Sequence, residues 1–291
     1  MNKIAFIGLG AMGLPMASNL VKAGFPVCGS DRRPDALDAF AAAGGAVAPS
    51  PAQAAHGADA LVMMVVNATQ AEDVLFTAGA LDALAPGAIV VLMATCPPGQ
   101  VAEIATRVIA TGRGFLDAPV SGGVVGAAAA SLSIMAAGDA DTFVRARPFL
   151  EAMGGKLYNT GTAPGQGAMA KTINQLLCGV HLAAAAEALS LAEQAGMDPA
   201  VALEIVSNSA ASSWMLKDRG LRMLEDEPIV TSAVDIFVKD LAIVLTAGTQ
   251  ARAALPLAAA AHQMFLSVSG QGMGDKDDSK VIEAYRRLRG V

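Results

Sequence analysis

Three cysteines, Cys28, Cys96 and Cys178, are all that this chain of 291 residues contains, and histidine is equally scarce, at His56, His181 and His262. An odd cysteine count without metal-type spacing speaks against a disulfide framework or a zinc site. It points to reduced thiols in the core of a cytoplasmic protein. No histidine clusters with them, so no metal is expected. Basic residues are also in deficit: 20 Lys and Arg against 26 Asp and Glu leave a net charge of −6, with no basic field for nucleic acid or for an anionic membrane. The 54% hydrophobic content is inflated by alanine. No uninterrupted apolar run approaches the length needed to cross a bilayer. The length suits two domains with ample core, and there is no internal repeat.

What is present is most specific in the first thirty-one residues. An apolar strand, Ile4-Ala5-Phe6-Ile7, runs into Gly8-Leu9-Gly10-Ala11-Met12-Gly13, then a helix over roughly Met12 to Ala23, a stop at Gly24, and a strand Pro26-Val27-Cys28-Gly29-Ser30 closed by Asp31. Each glycine has a distinct task. Gly8 permits the tight turn, Gly10 lets the backbone approach a pyrophosphate, and Gly13 allows close helix–sheet packing. The helix aims its unpaired N-terminal amides at phosphate. Asp31, eighteen positions after Gly13, is placed to accept hydrogen bonds from a ribose diol. The order of parts is that of a dinucleotide site. Lys3 before an apolar run has a superficial likeness to a signal peptide, but three glycines in six residues make a poor helical core for one. Asp31 favours NAD by repelling a 2′-phosphate, whereas Arg32 and Arg33 are able to bind one, so NADP remains possible; NAD is the expected cofactor.

Apolar strand candidates recur at Ala60 to Val66, Ala88 to Met93 and Gly114 to Ala118, separated by helical segments such as Pro34 to Ala43 and Pro98 to Thr111. That alternation predicts a parallel sheet covered on both faces. Ser131 to Ala137 reads as a further strand ending at the turn Gly138-Asp139, Asp141 to Met153 as a helix, and Lys156-Leu157-Tyr158 as a short strand. From Gly165 to Ala195 the pattern becomes one long helix, followed by helices near Pro199 to Ser207, Val234 to Gln250, Pro256 to Ser269 and Ser279 to Leu288, with Gly270 to Asp278 a polar loop. The fold class expected is α/β: an N-terminal Rossmann doubly wound sheet over residues 1–162, then an all-helical domain over 163–291, joined by the long helix.

Three further segments carry chemistry. Asp117-Ala118-Pro119-Val120-Ser121-Gly122-Gly123 leaves the end of a strand where ligands of such sheets collect, and its small residues expose amides suited to a carboxylate. An ordinary Pro/Gly turn is the plainer reading. On the long helix, Lys171, Asn174, Gln175 and Cys178 fall at i, i+3, i+4 and i+7 and share a face. A buried lysine can act as base to a hydroxyl or acid to a carbonyl, with Asn174 or Gln175 holding the ammonium or the substrate; the alternative is a solvated lysine on an interdomain helix. Asp235-Ile236-Phe237-Val238-Lys239-Asp240-Leu241 offers a second lysine able to reach a cofactor, with Asp240 capping or pairing, or else a surface ion pair.

Together Gly8 to Gly13, Asp117 to Gly123, Gly167 through Lys171 to Gln175, and Phe237-Val238-Lys239-Asp240-Leu241 resemble the β-hydroxyacid dehydrogenases, relatives of 3-hydroxyisobutyrate dehydrogenase and tartronate semialdehyde reductase, over essentially the whole chain. The resemblance implies that Lys171 is the catalytic lysine and that Ser121, Gly122 and Gly123 bind the substrate carboxylate, with Asn174, Gln175 and Trp214 also at the substrate. It places Lys239, Met64, Val65 and Thr95 at the dinucleotide with Gly8, Leu9, Gly10, Ala11, Met12, Gly13, Asp31 and Arg32. It implies homodimers or homotetramers formed through the helical domain. Many members carry Asn where this chain has Gln175 and a Ser-Thr pair where it has Ala94-Thr95. The stretches Gln175 to His181, Ala185 to Ala188, Ser213-Trp214-Met215 and Ser232 to Leu241 are most similar to the L-threonate dehydrogenase branch, whose substrates are short polyhydroxy acids. The rival readings are tartronate semialdehyde reductase or 3-hydroxyisobutyrate dehydrogenase activity, an imine reductase or 6-phosphogluconate type enzyme, and a non-catalytic dinucleotide sensor.

Overall fold

The computed structural model describes residues 3–288. The expected domain ranges also take in residues 1–2 and 289–291, which lie outside the described residues. By internal packing the chain divides into a first unit ending at Lys171 and a second beginning at Thr172.

The first unit is a sheet of nine strands: β1 Ile4–Ile7, β2 Val27–Ser30, β3 Ala46–Val47, β4 Ala60–Met63, β5 Ile89–Leu92, β6 Gly114–Asp117, β7 Val120–Ser121, β8 Ser133–Ala137 and β9 Lys156–Gly161. Six of them are parallel in the order β3-β2-β1-β4-β5-β6. The chain reverses direction across the sheet between β1 and β4, which opens a crevice at their carboxyl ends. The parallel sheet expected from the alternation is found over these six strands, and beyond β6 the sheet becomes mixed. β8 runs antiparallel to β6 and β7, and β9 pairs parallel with β8. β6 and β7 run in the same direction and in one register along β8, Asp117 opposite Ala137 and Val120 opposite Ile134, so the chain reverses only after β7, between Ser121 and Ser133.

Helices cover both faces: α1 Gly13–Lys22, α2 Pro34–Ala42, α3 Pro51–Ala55, α4 Ala68–Glu72, α5 Ala80–Ala83, α6 Pro98–Ile109, α7 Gly123–Ala128 and α8 Ala140–Glu151. Alternate residues of the central strands feed two separate cores. Ala5, Ile7, Leu61, Met63, Val90 and Leu92 pack with α3 to α6, while Ile4, Phe6, Val62, Ile89 and Val91 pack with α1, α2, α7 and α8. Strands buried on both faces read as continuous apolar runs, as these do. The helices from Pro51 to Ala83 escaped the sequence reading because each spans barely a turn, too short to show a period; α4 continues as a single π-helical turn, Asp73–Thr77.

Helix α9, Gln166–Gln194, begins in the first unit and continues into the second. Long and apolar enough by length and mean hydropathy to cross a membrane, it carries Lys171, Glu187 and Glu193, and half of its most apolar window is buried. In the second unit α10 Pro199–Ser207, α11 Trp214–Met223, α12 Val234–Ala251, α13 Pro256–Val268 and α14 Ile282–Arg287 follow. They share a core that includes Leu182, Leu189, Met215, Phe237, Leu241 and Phe265. Among the described residues no strand returns; the nearest is one isolated bridge between Ala233 and Asp277.

The segment expected as a polar loop, Gly270 to Asp278, is more than that. Asp277 and Asp278 are buried, and Asp278 Oδ1 accepts from Arg219 Nε at 2.7 Å. Asp277 accepts from the Thr231 amide at 3.0 Å and from the Ser279 hydroxyl at 2.7 Å. Burial pushes the Asp278 carboxyl up to about 6 despite the Arg219 guanidinium. This ionic group ties α11 to the start of α12. Its partners are distant in sequence, so no local pattern announces it.

Candidate active site

The crevice is built from the ends of β1 and β4. Gly8 leaves β1 at φ +94°, and a Cβ there would stand inside the Met64 carbonyl at the end of β4. A Cβ on Gly13 would collide with the Gly8 carbonyl. Those two glycines are therefore required by the fold itself. Gly10 is not: its φ is ordinary, and the nearest group to a Cβ would be Arg33 Nη2 at 4.0 Å. The protein's own packing leaves that backbone face open, which suits a phosphate lying against it. The first turn of α1 carries neither a side-chain cap nor an acidic residue, so no side chain competes with an anion there; within that turn the Leu14 amide donates to the Gly10 carbonyl at 3.0 Å and Pro15 has no N–H.

A cavity of about 620 Å³ opens at this point, lined among others by Gly8, Gly10, Asp31, Arg32, Met64 and Val65. Its size is that of a small-molecule or cofactor cleft. Asp31 stands at its wall. Its Oδ2 accepts from the Leu9 amide at 2.7 Å, and its Oδ1 accepts from the Arg33 amide at 2.9 Å and from Arg33 Nε at 3.2 Å. Burial pushes this carboxyl up, but the amides of Arg33 and Leu9 and the Arg33 guanidinium outweigh it, so Asp31 is held below its ordinary value. Arg33 is folded back further by donating to the Leu9 carbonyl at 3.1 Å. Arg32 lies in solvent, 3.9 Å from Asp73. Ala11 and Met12 complete the glycine loop, and Thr95 lies half-buried just beyond β5.

At the end of β6 stands Asp117, fully buried, whose place in the sequence announces only the start of a loop. Its Oδ2 accepts from the amides of Gly165 at 3.0 Å and Ala168 at 2.7 Å. Its Oδ1 is buried without a hydrogen-bond partner. Burial pushes this carboxyl up to about 6, although the amides of Ala168, Gly165 and Gly167 pull it down. It caps α9, the helix that carries Lys171, and so ties that helix to the strand leading into Ser121, Gly122 and Gly123. A carboxylate closing a buried strand was the available signal. In the loop itself Gly122 and Gly123 both take positive φ, and a Cβ on Gly123 would meet nothing within 4 Å.

Lys171 is buried, at 7% exposure. Along α9, Asn174 and Cys178 are half-buried and Gln175 is buried, while Ile173 and Leu177 are exposed, so the shared face expected from spacing exists. Cys28 and Cys96 are core residues as expected; Cys178 is only half-buried, and none of the three is in a disulfide. Among the described residues no group of acidic, histidine or cysteine side chains could hold a metal.

In the second unit, Gln175 Nε2 donates to Asp240 Oδ2 at 2.6 Å, and Lys239 Nζ donates to Asp240 Oδ1 at 2.6 Å. The Asp240 side chain is 2% exposed and that of Lys239 25%, so the surface ion pair considered for them is corrected to a partly buried one. Trp214 opens α11 behind the Ser213 cap and is largely exposed.

Residues 3–161 match the NAD binding domain of 6-phosphogluconate dehydrogenase, and residues 165–285 match the NAD-binding domain of NADP-dependent 3-hydroxyisobutyrate dehydrogenase. Over 283 residues the chain is 46% identical to an L-threonate dehydrogenase of Cupriavidus necator, covering 97% of this chain and 95% of that protein. The chain belongs to the β-hydroxyacid dehydrogenase family. An NAD-dependent L-serine dehydrogenase of Pseudomonas aeruginosa is 34% identical, with both chains fully covered. The crystal structure of a 3-hydroxyisobutyrate dehydrogenase from Salmonella typhimurium superposes with a TM-score of 0.92 at 40% identity, covering 97% of this chain and 99% of that one. This dehydrogenase uses NAD(P) and acts on the CH–OH group of a small hydroxy acid.

Proposed function

We propose that this dehydrogenase oxidises a four-carbon sugar acid of the L-threonate type with NAD. The observation that carries the substrate class is the 46% identity, along 97% of the chain, to an enzyme of that name. NAD over NADP is supported by Asp31, whose carboxylate lines the cofactor cavity while Arg33 is engaged by Asp31 and Leu9 and Arg32 stands in solvent.

The nicotinamide cofactor supplies the hydride acceptor; the chain's residues bind, orient and move the proton. Gly8 to Gly13 hold the pyrophosphate, Asp31 the ribose, and Met64, Val65 and Thr95 the remaining cofactor surface, with Lys239 supplying a positive charge. Ser121, Gly122 and Gly123 hold the substrate carboxylate through the hydroxyl and backbone amides, and Asn174 and Trp214 border the remainder of the acid. Lys171 takes the proton from the substrate hydroxyl as hydride leaves the same carbon. Its burial excludes the water that would otherwise compete for that proton. We also assign a homo-oligomer formed through the helical unit, supported by the exposed Ile173, Leu177, Leu191 and Ile205, and a cytoplasmic setting, consistent with three cysteines outside any disulfide.

The test is growth of reduced-nicotinamide absorbance with threonate, erythronate, glycerate, 3-hydroxyisobutyrate and serine, each with NAD and NADP. Threonate with NAD is expected to give the highest kcat/KM. A preference for serine or 3-hydroxyisobutyrate would overturn the substrate assignment, and no turnover with any acid would favour a dinucleotide sensor. In the same assay Lys171→Ala should lower kcat by roughly 10² to 10⁴ with NAD affinity retained. Near-wild-type turnover would remove Lys171 from the chemistry.

A further inference from the structure

Gln175, on the buried face of α9, points its amide at a carboxylate. Nε2 donates to Asp240 Oδ2 at 2.6 Å, and the other oxygen of the same carboxylate holds Lys239 Nζ at 2.6 Å. Neighbouring residues on a helix diverge by about 100°, so adjacent side chains do not ordinarily face each other. Lys239 has to bend toward Asp240 to make this bond. Asp240 is 2% exposed and Gln175 7%, so the carboxylate is fixed from both sides in a medium where charge-assisted bonds are strong.

Helix packing explains why these residues meet. One turn beyond Gln175 lies Gly179, where an added Cβ would stand 2.8 Å from the Leu241 side chain. The glycine lets α9 and α12 approach, and this brings Gln175 against the residue just before Leu241. An asparagine at 175 would withdraw the amide by one methylene, about 1.5 Å, and a separation near 4 Å is no hydrogen bond.

We propose that Gln175 is a positioning residue: through Asp240 it fixes the Lys239 ammonium, and so sets where this chain presents positive charge to its cofactor or substrate. This rests on the reading that places Lys239 in the site. Gln175 then affects binding of the anionic ligand without touching it, and the length of its side chain is a specificity determinant.

A double-mutant cycle tests it. Gln175→Asn and Gln175→Met, the second keeping side-chain volume, are each combined with Lys239→Met. KM for the acid, dissociation of NADH by fluorescence, kcat and melting temperature are measured. In the wild-type background either Gln175 variant should raise KM or the NADH dissociation constant by roughly 5- to 30-fold while kcat changes less than about 3-fold, and in the Lys239→Met background the same change should fall below about 2-fold. Asp240→Asn should reproduce the Gln175 phenotype. An undiminished Gln175 effect in the Lys239→Met background would overturn the proposal and put Gln175 on the substrate directly. If Lys239→Met alone changes neither constant, the placement of Lys239 itself has failed, and the proposal with it. The Gln175→Met variant separates these outcomes from a packing loss, since a lowered melting temperature confined to Gln175→Asn would mark a cavity.

Discussion

Asn in place of Asp117 isolates the cost of one buried charge. Asp117 Oδ2 accepts two backbone amides at the start of α9, yet its Oδ1 is buried without a partner, and burial dominates, lifting the carboxyl from 3.8 to about 6. At about 1.36 kcal/mol per pKa unit, that rise corresponds to about 3 kcal/mol. The sign follows from which state binds the proton more tightly. The folded protein does, so Asp117 imposes no penalty below about pH 4, where both states are protonated. Stability is lost as the pH rises through about 6, where the folded carboxyl must ionise. Asn has nearly the same shape, keeps an oxygen for the Gly165 and Ala168 amides, and does not titrate. Its new amide group carries a cost of its own where Oδ1 was orphaned, but that cost is independent of pH. Urea unfolding of both proteins at close steps from about pH 4 to about pH 8 reads the difference directly, because every other titration cancels. The stability of Asp117→Asn relative to wild type should climb by about 3 kcal/mol across that range. A flat difference would show that Asp117 carries no elevated pKa. A difference moving in favour of wild type would show that the helix-capping amides outweigh burial.

Asp31→Ala should weaken NAD by about 1 to 2 kcal/mol through loss of a charge-assisted pair. It should also raise the NADP-to-NAD ratio of kcat/KM, because Arg33 is released from Oδ1; an unchanged ratio, or a wild type that already prefers NADP, would show that Asp31 does not govern the choice. The glycine loop separates fold from binding. Gly10→Ala, with nothing nearer its Cβ than 4.0 Å, should keep the wild-type melting temperature while dinucleotide dissociation rises at least about tenfold, by titration calorimetry. Gly13→Ala, whose Cβ would collide with the Gly8 carbonyl, should lose roughly 3 kcal/mol or more of stability; equal behaviour of the two variants would contradict this division of labour.

Local chemistry was enough for much of this molecule. The strand, glycine loop, helix and closing aspartate of residues 4–31 are contiguous, and each part answers to a backbone rule, so α1 and β2 lie within a residue or so of where spacing put them. The long helix was equally legible, because an uninterrupted stretch rich in alanine and leucine, without proline, favours a helix throughout. The shared face of Lys171 and Gln175 followed from the i, i+4 spacing of a helix. The one-turn helices between Pro51 and Ala83 carried no such period, and the antiparallel strands β7 and β8 depend on which neighbour they find, which neither strand encodes alone.

What tertiary structure decided was the fate of polar side chains. Nothing around Asp240 distinguishes a surface carboxylate from a buried one; the close approach of α9 and α12 at Gly179 makes it a buried hub with Gln175 and Lys239 as its partners. Asp117 became a helix cap because the chain returns to it some fifty residues later. The Arg219–Asp278 pair joins residues equally far apart. Periodicity reports which face of an element is apolar. Whether a charge on that element meets water or another charge is settled only by what packs against it, since burial makes an unpartnered charge costly and a paired one fixed in place.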